Sequence, residues 1–548
     1  MSARSDELVD RVTAEVSNVV GRDNGSAVGM PAVEAVDTLE GFDALRPAWE
    51  QLYRADPEAH FFLSWQWLAR AFARHPEEWL VLAVRRDQKG DAYSAFLPLR
   101  RHVQWHDEAG AFCSELRMAG TFFWSDYTGI LCDADDETVA IPAMAAHLRQ
   151  MHWRDLVLKN LRISARRLAL ILDQFHPSVF RVVHRQRRIK ADINLLVCPC
   201  VDLPDDFDRY LTETLSSNTR QKVRRFLRKV ETSDSFRITV SNRQTHHRDL
   251  DILQRLWEAK WADRKGGDTK RLGRGNRQII EQGLQAGLVF MPVLWRDDEP
   301  LGVLCSFVDR DKREMLFFVA GRDERCNNPP PGLVLHAYSI RWAIENGFRR
   351  YDFLRGDERY KYSLGAIDRE IRYLTLSTRS GRGLNKTIDP TAVDAVLRKA
   401  TRYQREGRER RAETGFRQVL AVDGNNRRAL RRLGRLLYRA GRLEEAEPIY
   451  TRLVAVAYDN ADAWLRLGKI RLKLNAFVDA ELALRKAIAL SADALIDGYC
   501  SLGCALHGQG AVAEARRAFE SASQLRPRNR HDRYLQAQIA HDFKPRTG

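Results

Sequence analysis

The sequence has little of what would tie it to a membrane or an oxidising compartment. Nowhere do apolar residues run on for the roughly 18–20 positions that a bilayer span needs. The opening stretch, MSARSDELVDRV, mixes acids and bases where a secretory leader would carry an apolar core. Eight cysteines in 548 residues include no CxxC pair and no Cys/His spacing of a zinc site. These absences predict reduced thiols, no metal cofactor, no membrane span and a cytoplasmic protein. Neither GxxxxGK[ST] nor a strand-coupled GxGxxG occurs, which argues against a P-loop ATPase and a Rossmann dehydrogenase.

What is present is a globular composition, 44% apolar and 30% charged, on a chain long enough for two to four domains. The net charge of +16 favours an anionic partner. Nucleic acid, anionic lipid and a phosphorylated cofactor all satisfy it.

Residues 1–32 lack periodicity and read as a mobile leader. From 33 to 190, helical and strand patterns alternate: a short helix at 47–52, an amphipathic helix at 64–72, a buried strand at 79–84, a turn at 88–91 and a strand at 93–99. A similar cycle fills 191–382. It holds a basic helix at 217–230, a helix at 250–262, strands at 288–295, 301–308 and 314–319, a helix at 333–346 and a strand at 350–353. Two copies of one α/β unit are expected. Beyond 383 the β signal disappears and a period emerges. Leu433-Gly434, Leu467-Gly468 and Leu502-Gly503 lie 34 and 35 residues apart, and Ala446, Ala480 and Ala515 and then Tyr450, Leu484 and Phe519 keep step. This spacing resembles tetratricopeptide repeats, predicting an all-α solenoid of four units over 393–529, with a capping helix and tail at 530–548. Such solenoids bind partners, so a protein partner is expected there.

Chemistry concentrates in the second α/β copy. A strand ending at Gly321 is followed by Asn327-Asn-Pro-Pro-Pro-Gly332 and a helix, and a helix start there offers free backbone N–H groups and a positive dipole end to an anion. Pro and Gly are also ordinary helix-start signals. Asp352, between Tyr351 and Phe353, is a carboxylate where one strand face is buried. It either pairs with Arg355 or Lys361 or carries a raised pKa. His246-His247 reads as an exposed loop. His106 and Cys113 have no partner at a recognisable spacing, and Cys198-Pro-Cys200 reads as two buried small residues. Trp65 and Trp67 read as core anchors.

Pro331-Gly332, Gly347 and Asp352-Phe-Leu-Arg-Gly-Asp-Glu-Arg-Tyr-Lys361 resemble the closing signature of the GNAT-type acetyltransferases of the CelD/BioF2-like group of cellulose biosynthesis. Trp49-x-x-Leu, Phe61-Phe-Leu-Ser-Trp-Gln-Trp-Leu68, Leu97-Pro-Leu99, Ser125-Asp-Tyr127 and Asn218-Thr-Arg-Gln-Lys-Val-Arg-Arg225 resemble its opening pattern, over about 35–378 in all. The resemblance implies two GNAT-like folds in tandem, as in the related FemAB-like transferases, and acyl transfer from acyl-CoA (acetyl-CoA) to an amine or hydroxyl acceptor, in polysaccharide or exopolysaccharide synthesis. It also implies roles. Asp352 is the first candidate base, with His336 and Glu358 behind it, and Tyr360 would protonate the departing thiolate. Pro331, Gly332 and Leu333, with Arg355 and Lys361, would hold the donor, while Asp126, Trp65 and Arg220 are candidate substrate contacts. The pyrophosphate loop departs from the usual Gln/Arg-x-x-Gly-x-Gly/Ala pattern, so tRNA or an acyl carrier protein is an alternative donor. The basic helix bearing Arg220, Lys222, Arg224 and Arg225 suits either, or plain solvent. A non-enzymatic adaptor built on a decayed transferase is the remaining alternative.

Overall fold

The structure is a computed structural model that describes residues 31–86, 92–120, 125–189, 192–265, 269–381, 383, 387–491 and 496–542. Nearly all of the expected leader, the expected turn at 88–91, Trp124 and the end of the expected tail lie outside the described residues. The chain divides into two compact units. One comprises Met1–Arg101, Leu116–Met151 and Asp155–Arg379, and the other His102–Glu115, His152–Arg154 and Ser380–Gly548.

The first unit is built on two mixed sheets. The strands of the first half are β1 (Val33–Val36), β2 (Trp79–Arg85), β3 (Tyr93–His106), β4 (Ala111–Met118), β5 (Leu131–Cys132), β6 (Asp155–Leu161) and β7 (Phe180–His184). After a small ribbon, β8 (Arg188–Ile189) with β9 (Ile193–Asn194), come β10 (Val197–Asp202), β11 (Phe236–Val240), β12 (Val289–Phe290), β13 (Pro292–Arg296), β14 (Glu299–Asp309), β15 (Glu314–Arg322), β16 (Arg350–Asp352), β17 (Ile367–Glu370) and β18 (Arg372–Thr378). One sheet runs β1-β2-β3-β4-β6-β18-β7 and the other β11-β13-β14-β15-β16-β10-β17. The orders correspond position by position, apart from the short strands β5 and β12. The sixth position is filled differently in the two sheets: β10, which opens the second half, pairs with β16 and β17 of its own sheet, whereas β18, from the end of the second half, crosses to pair with β6 and β7 of the first. This crossing ties the two copies together, and no local pattern in the sequence announces it.

The first half is held by aromatic packing. Phe42 meets Trp49 edge-on at 5.3 Å, and Phe72 stacks on Trp79 at 4.1 Å. In the second half the helix Ser217–Thr232 buries Val223, Phe226, Leu227 and Val230. That i, i+3, i+4, i+7 spacing gives one apolar face and leaves the cations outside. The helix Pro331–Glu345 packs beside it and on β14. Two sequence expectations are corrected here. The 288–295 strand is broken into β12 and β13 at Met291, and His246-His247 opens the helix His246–Lys265. The helix Thr269–Gln285 was not foreseen because it holds three glycines. At Gly283 a Cβ would fall 2.6 Å from Val289 Cγ2 and 2.9 Å from Phe307 Cε1, so this glycine permits close approach to the sheet.

The second unit holds four antiparallel helix pairs, from Val393–Arg405 with Glu409–Val422 to Ile496–Gly508 with Val512–Gln524, followed by Arg530–Asp542. The periodic glycines sit where expected. A Cβ at Gly434 would lie 2.8 Å from Tyr450, at Gly468 2.5 Å from Leu484, and at Gly503 2.6 Å from Phe519. At the first pair, Phe112 of the His102–Glu115 segment stacks on Tyr403 at 5.7 Å and takes the space beside Gly415. Among the described residues no helix is long and apolar enough to cross a membrane.

Candidate functional site

In the second sheet β15 pairs with β16 in parallel only over Glu314–Leu316, opposite Arg350–Asp352, and then continues to Arg322. Parallel strands that part in this way leave backbone and side chains of the longer strand facing an opening. The helix Pro331–Glu345 starts at that opening. Its first turn carries no acid and its N-cap, Pro330, makes no side-chain cap, so the positive end of the helix dipole is not neutralised from within. The Arg322 guanidinium lies where a side chain on Gly332 would be, with Nη1 2.8 Å from that position. Arg322 is held in turn by Glu324 at 3.0 and 3.1 Å. Lys229, from the basic helix, reaches the Oδ1 of Asn328 at 3.1 Å in the preceding loop. Helix start, guanidinium and ammonium thus collect on one side of the opening. Sequence reasoning placed Pro331, Gly332 and Leu333 there but missed Arg322, whose signal was a lone arginine closing the strand before the proline loop.

Behind the helix start, His336 is buried in an aromatic cage. Its Nδ1 is 2.9 Å from the Tyr351 hydroxyl, and the rings of Phe317, Phe353 and Tyr360 surround it at 4.6, 5.3 and 5.7 Å. Desolvation, followed by the positive charges of Lys361 and Arg322, pushes its pKa down to about 3, so the ring is neutral at physiological pH. Tyr360 is 43% exposed. Desolvation of its covered side and the Glu358 carboxylate raise its pKa, and the hydroxyl keeps its proton.

Asp352 is not paired with Arg355 or Lys361. Only 3% exposed, it accepts from the Tyr127 hydroxyl at 2.8 and 2.9 Å and from the Leu354 N–H at 2.7 Å. Desolvation raises its pKa to about 6 against the pull of Arg162. Leu354 has φ +56°, a left-handed conformation uncommon for a branched side chain, and the Asp352 acceptor holds it there. Tyr127 belongs to the first half, so this bond joins the two copies. Arg355 likewise crosses to Asp126, which is thereby occupied by an ion pair.

Lys361, expected at the donor, is engaged by its own loop. Only 2% exposed, its ammonium donates to the carbonyls of Phe353, Arg355 and Gly356 at 3.1, 3.1 and 2.8 Å and pairs with Glu358 at 2.8 Å, which commits its donors to the loop after β16. Trp65 stacks on Phe42 at 5.7 Å beneath the Arg46 guanidinium at 4.4 Å, a place in the first-half core. Arg220 sits half-buried on its helix, bonded to the Thr212 carbonyl at 3.4 Å, whereas Lys222, Arg224, Arg225 and Arg228 are exposed. Cys198 and Cys200 are both buried, and desolvation first raises the pKa of each. His106 has partners the spacing did not reveal, Glu115 at 3.1 Å and Arg154 at 2.6 Å.

Comparison with known proteins follows this geometry. Residues 217–362 match the model of an acetyltransferase (GNAT) domain, and 397–455 and 444–494 match that of the tetratricopeptide repeat. Among solved structures, FemX is similar over 62% of this chain and 96% of its own, at 10% identity and a TM-score of 0.43. A conserved protein of unknown function from Bacteroides thetaiotaomicron VPI-5482 is similar over 63% and 99%, at 11% identity and a TM-score of 0.38. MamA from Desulfovibrio magneticus RS-1 is similar over 27% and 84%, at 19% identity and a TM-score of 0.25. No curated protein matches the chain. The second α/β half therefore contains a GNAT-type acetyltransferase domain, and tetratricopeptide repeats follow it.

Proposed function

We propose that the protein transfers an acyl group from acetyl-CoA to an amine or hydroxyl, with a sugar of a growing polysaccharide as the acceptor class that the family resemblance favours, and that its repeats bring a protein partner to the enzyme. The observation that carries the reading is the uncapped helix start at Gly332 with Arg322 laid against it, beside the point where β15 outruns β16. A diphosphate suits that place because backbone N–H groups, helix dipole and guanidinium all favour negative charge. Gly332, Leu333, Arg322 and Lys229 would hold the donor's phosphates.

In this reading, binding the thioester beside the acceptor supplies much of the acceleration by proximity. Tyr360 is the acid for the departing thiolate, since it is exposed and keeps its proton. Glu358 takes the acceptor's proton: it neighbours Tyr360 and remains partly exposed, whereas Asp352 has its oxygens engaged and is better suited to positioning Leu354 and the loop after β16. His336, neutral and bonded to Tyr351, shapes the wall of the cage.

One observation favours a carrier-bound donor as a second reading: Lys222, Arg224, Arg225 and Arg228 form an exposed cationic row on the Ser217–Thr232 helix. A tRNA or an acyl carrier protein would use that row, and its binding would fall steeply with salt. The test is thermal unfolding with acetyl-CoA, an aminoacyl-tRNA and an acyl carrier protein, coupled to thiol release with amine and hydroxyl acceptors. Acetyl-CoA at 100 times its dissociation constant should add about 2.7 kcal/mol. Stabilisation by the tRNA or the carrier alone would replace the donor, and stabilisation by none would leave an adaptor.

A further inference from the structure

The repeats do not match their charges evenly. Along the second helices of the pairs, guanidinium and carboxylate meet across neighbouring repeats: Arg442 with Glu413 at 2.7 Å, Arg417 with Glu445 at 2.6 Å and Arg485 with Glu514 at 3.2 Å. The first helices touch along a separate row, through Arg432 and Gln404, Arg435 and Asp462, and Lys469 and Asp497. In that row the helix Arg427–Arg439 carries six arginines and no acid. Arg428, Arg431, Arg432, Arg435 and Arg439 follow at i, i+3, i+4, i+7 and i+11, which puts them on one stripe, while Leu430, Leu433, Leu436 and Leu437 are buried on the other side.

Arg428, Arg431 and Arg439 are exposed and form no ion pair among the described residues. Arg432 reaches only the Gln404 amide, and its pKa is lowered by desolvation and then by Arg431, Arg405 and Arg435. Like charges at these spacings destabilise a helix. Asp462 and Asp497 neutralise Arg435 and Lys469 in this row, but Arg428, Arg431, Arg432 and Arg439 meet no carboxylate among the described residues, which leaves a place for an external anion. Guanidinium forks match carboxylates two bonds at a time. Tyr438, at i+7 from Arg431, borders the stripe, but Lys473 already lies over its ring, so one capped, half-buried ring is all the aromatic surface that a single-stranded nucleic acid would find on this helix. From Arg428 to Arg439 the face extends about 16 Å, the length of roughly five extended residues.

We infer that the arginine face of the Arg427–Arg439 helix, continued by Arg405, docks a short acidic segment of a partner protein. The inference rests on the reading that the repeats recruit a partner, and it gives that partner its chemistry. The test uses the full chain and a fluorescein-labelled ten-residue poly-glutamate followed by anisotropy. Saturable binding is expected at low salt, weakening as salt is added. Arg428→Glu with Arg431→Glu should weaken it by at least about tenfold and should not lower the melting temperature, because reversal relieves repulsion. Arg516→Glu with Arg517→Glu, equal in charge change but on the exposed face of the last paired helix, should alter it less than about twofold. Equal losses in the two variants would mean that net charge alone drives binding, and would overturn the inference. So would no binding, or tighter binding of a ten-nucleotide oligothymidylate lost in the same Arg428/Arg431 variant. Stabilisation by acetyl-CoA, measured on the same samples, reads the acyl-transfer proposal separately: it should survive the Arg428/Arg431 change, and its absence from the wild type would remove that proposal while leaving the anisotropy result intact.

Discussion

The two α/β halves share a strand order and differ in what they do with the helix that enters between the fourth and fifth sheet positions. In the first half that helix, Glu137–Leu148, begins with its own carboxylates. Asp136 is at the N-cap and pairs with Arg86 at 2.8 Å, and Glu137, in the first turn, accepts from the fully buried Arg167 at 2.7 Å. Arg167 is shared with Asp56 at 2.9 Å, which closes the network. In the second half the helix Pro331–Glu345 has no acid at its start and keeps a glycine with an arginine over it. The same positive helix end faces carboxylates of its own chain in one copy and none in its first turn in the other. This difference assigns the donor, in our proposal, to the second half alone.

The comparison can be broken most violently through Arg167. Replacing it with Met strands Asp56 and Glu137 in the interior and should cost about 3–5 kcal/mol in urea unfolding followed by tryptophan fluorescence. The protein that remains folded should bind acetyl-CoA as the wild type does. A large loss of donor affinity instead would mean that the first half contributes to the site. Arg322→Ala should do the reverse, leaving stability within about 0.5 kcal/mol while weakening acetyl-CoA by roughly 10–100-fold, the worth of one charge-assisted contact.

A third, smaller effect concerns the bond between the halves. Asp352 is held at about 6, above its ordinary 3.8, so the folded state disfavours its ionisation. That contribution to stability is full below pH 4 and is lost as pH rises through 6. Asp352→Asn cannot ionise, so between pH 4 and pH 7 its stability relative to the wild type should improve by about 2 kcal/mol. A constant difference across that range would show that Asp352 is not strained by burial. The smallest change expected is for Gly332→Ala. Its Cβ displaces only the flexible end of Arg322, and donor affinity should fall about threefold, well under 1 kcal/mol.

Sequence made the periodic parts legible. The Leu-Gly pairs of the repeats marked the close approaches of Gly434, Gly468 and Gly503, because one steric requirement recurs at a fixed spacing. The apolar run of β2 and the amphipathic face of Ser217–Thr232 were readable for the same reason. The crossing of β18 to the first sheet was not, since strand patterns carry no address for their partners. At the site, the proline loop and Gly332 identified the helix start. The roles given to Lys361 and Asp352 failed to anticipate that an ammonium would bond three carbonyls of its own loop, and that the carboxylate's partner would be Tyr127, 225 residues away. Both depend on tertiary placement that spacing does not encode.

The central claim is tested most directly by isothermal titration of acetyl-CoA into the full chain and its Arg322→Glu variant. The account predicts one site per chain in the wild type and an affinity at least about tenfold weaker in the variant. Two sites per chain, or an affinity indifferent to the charge at 322, would contradict it.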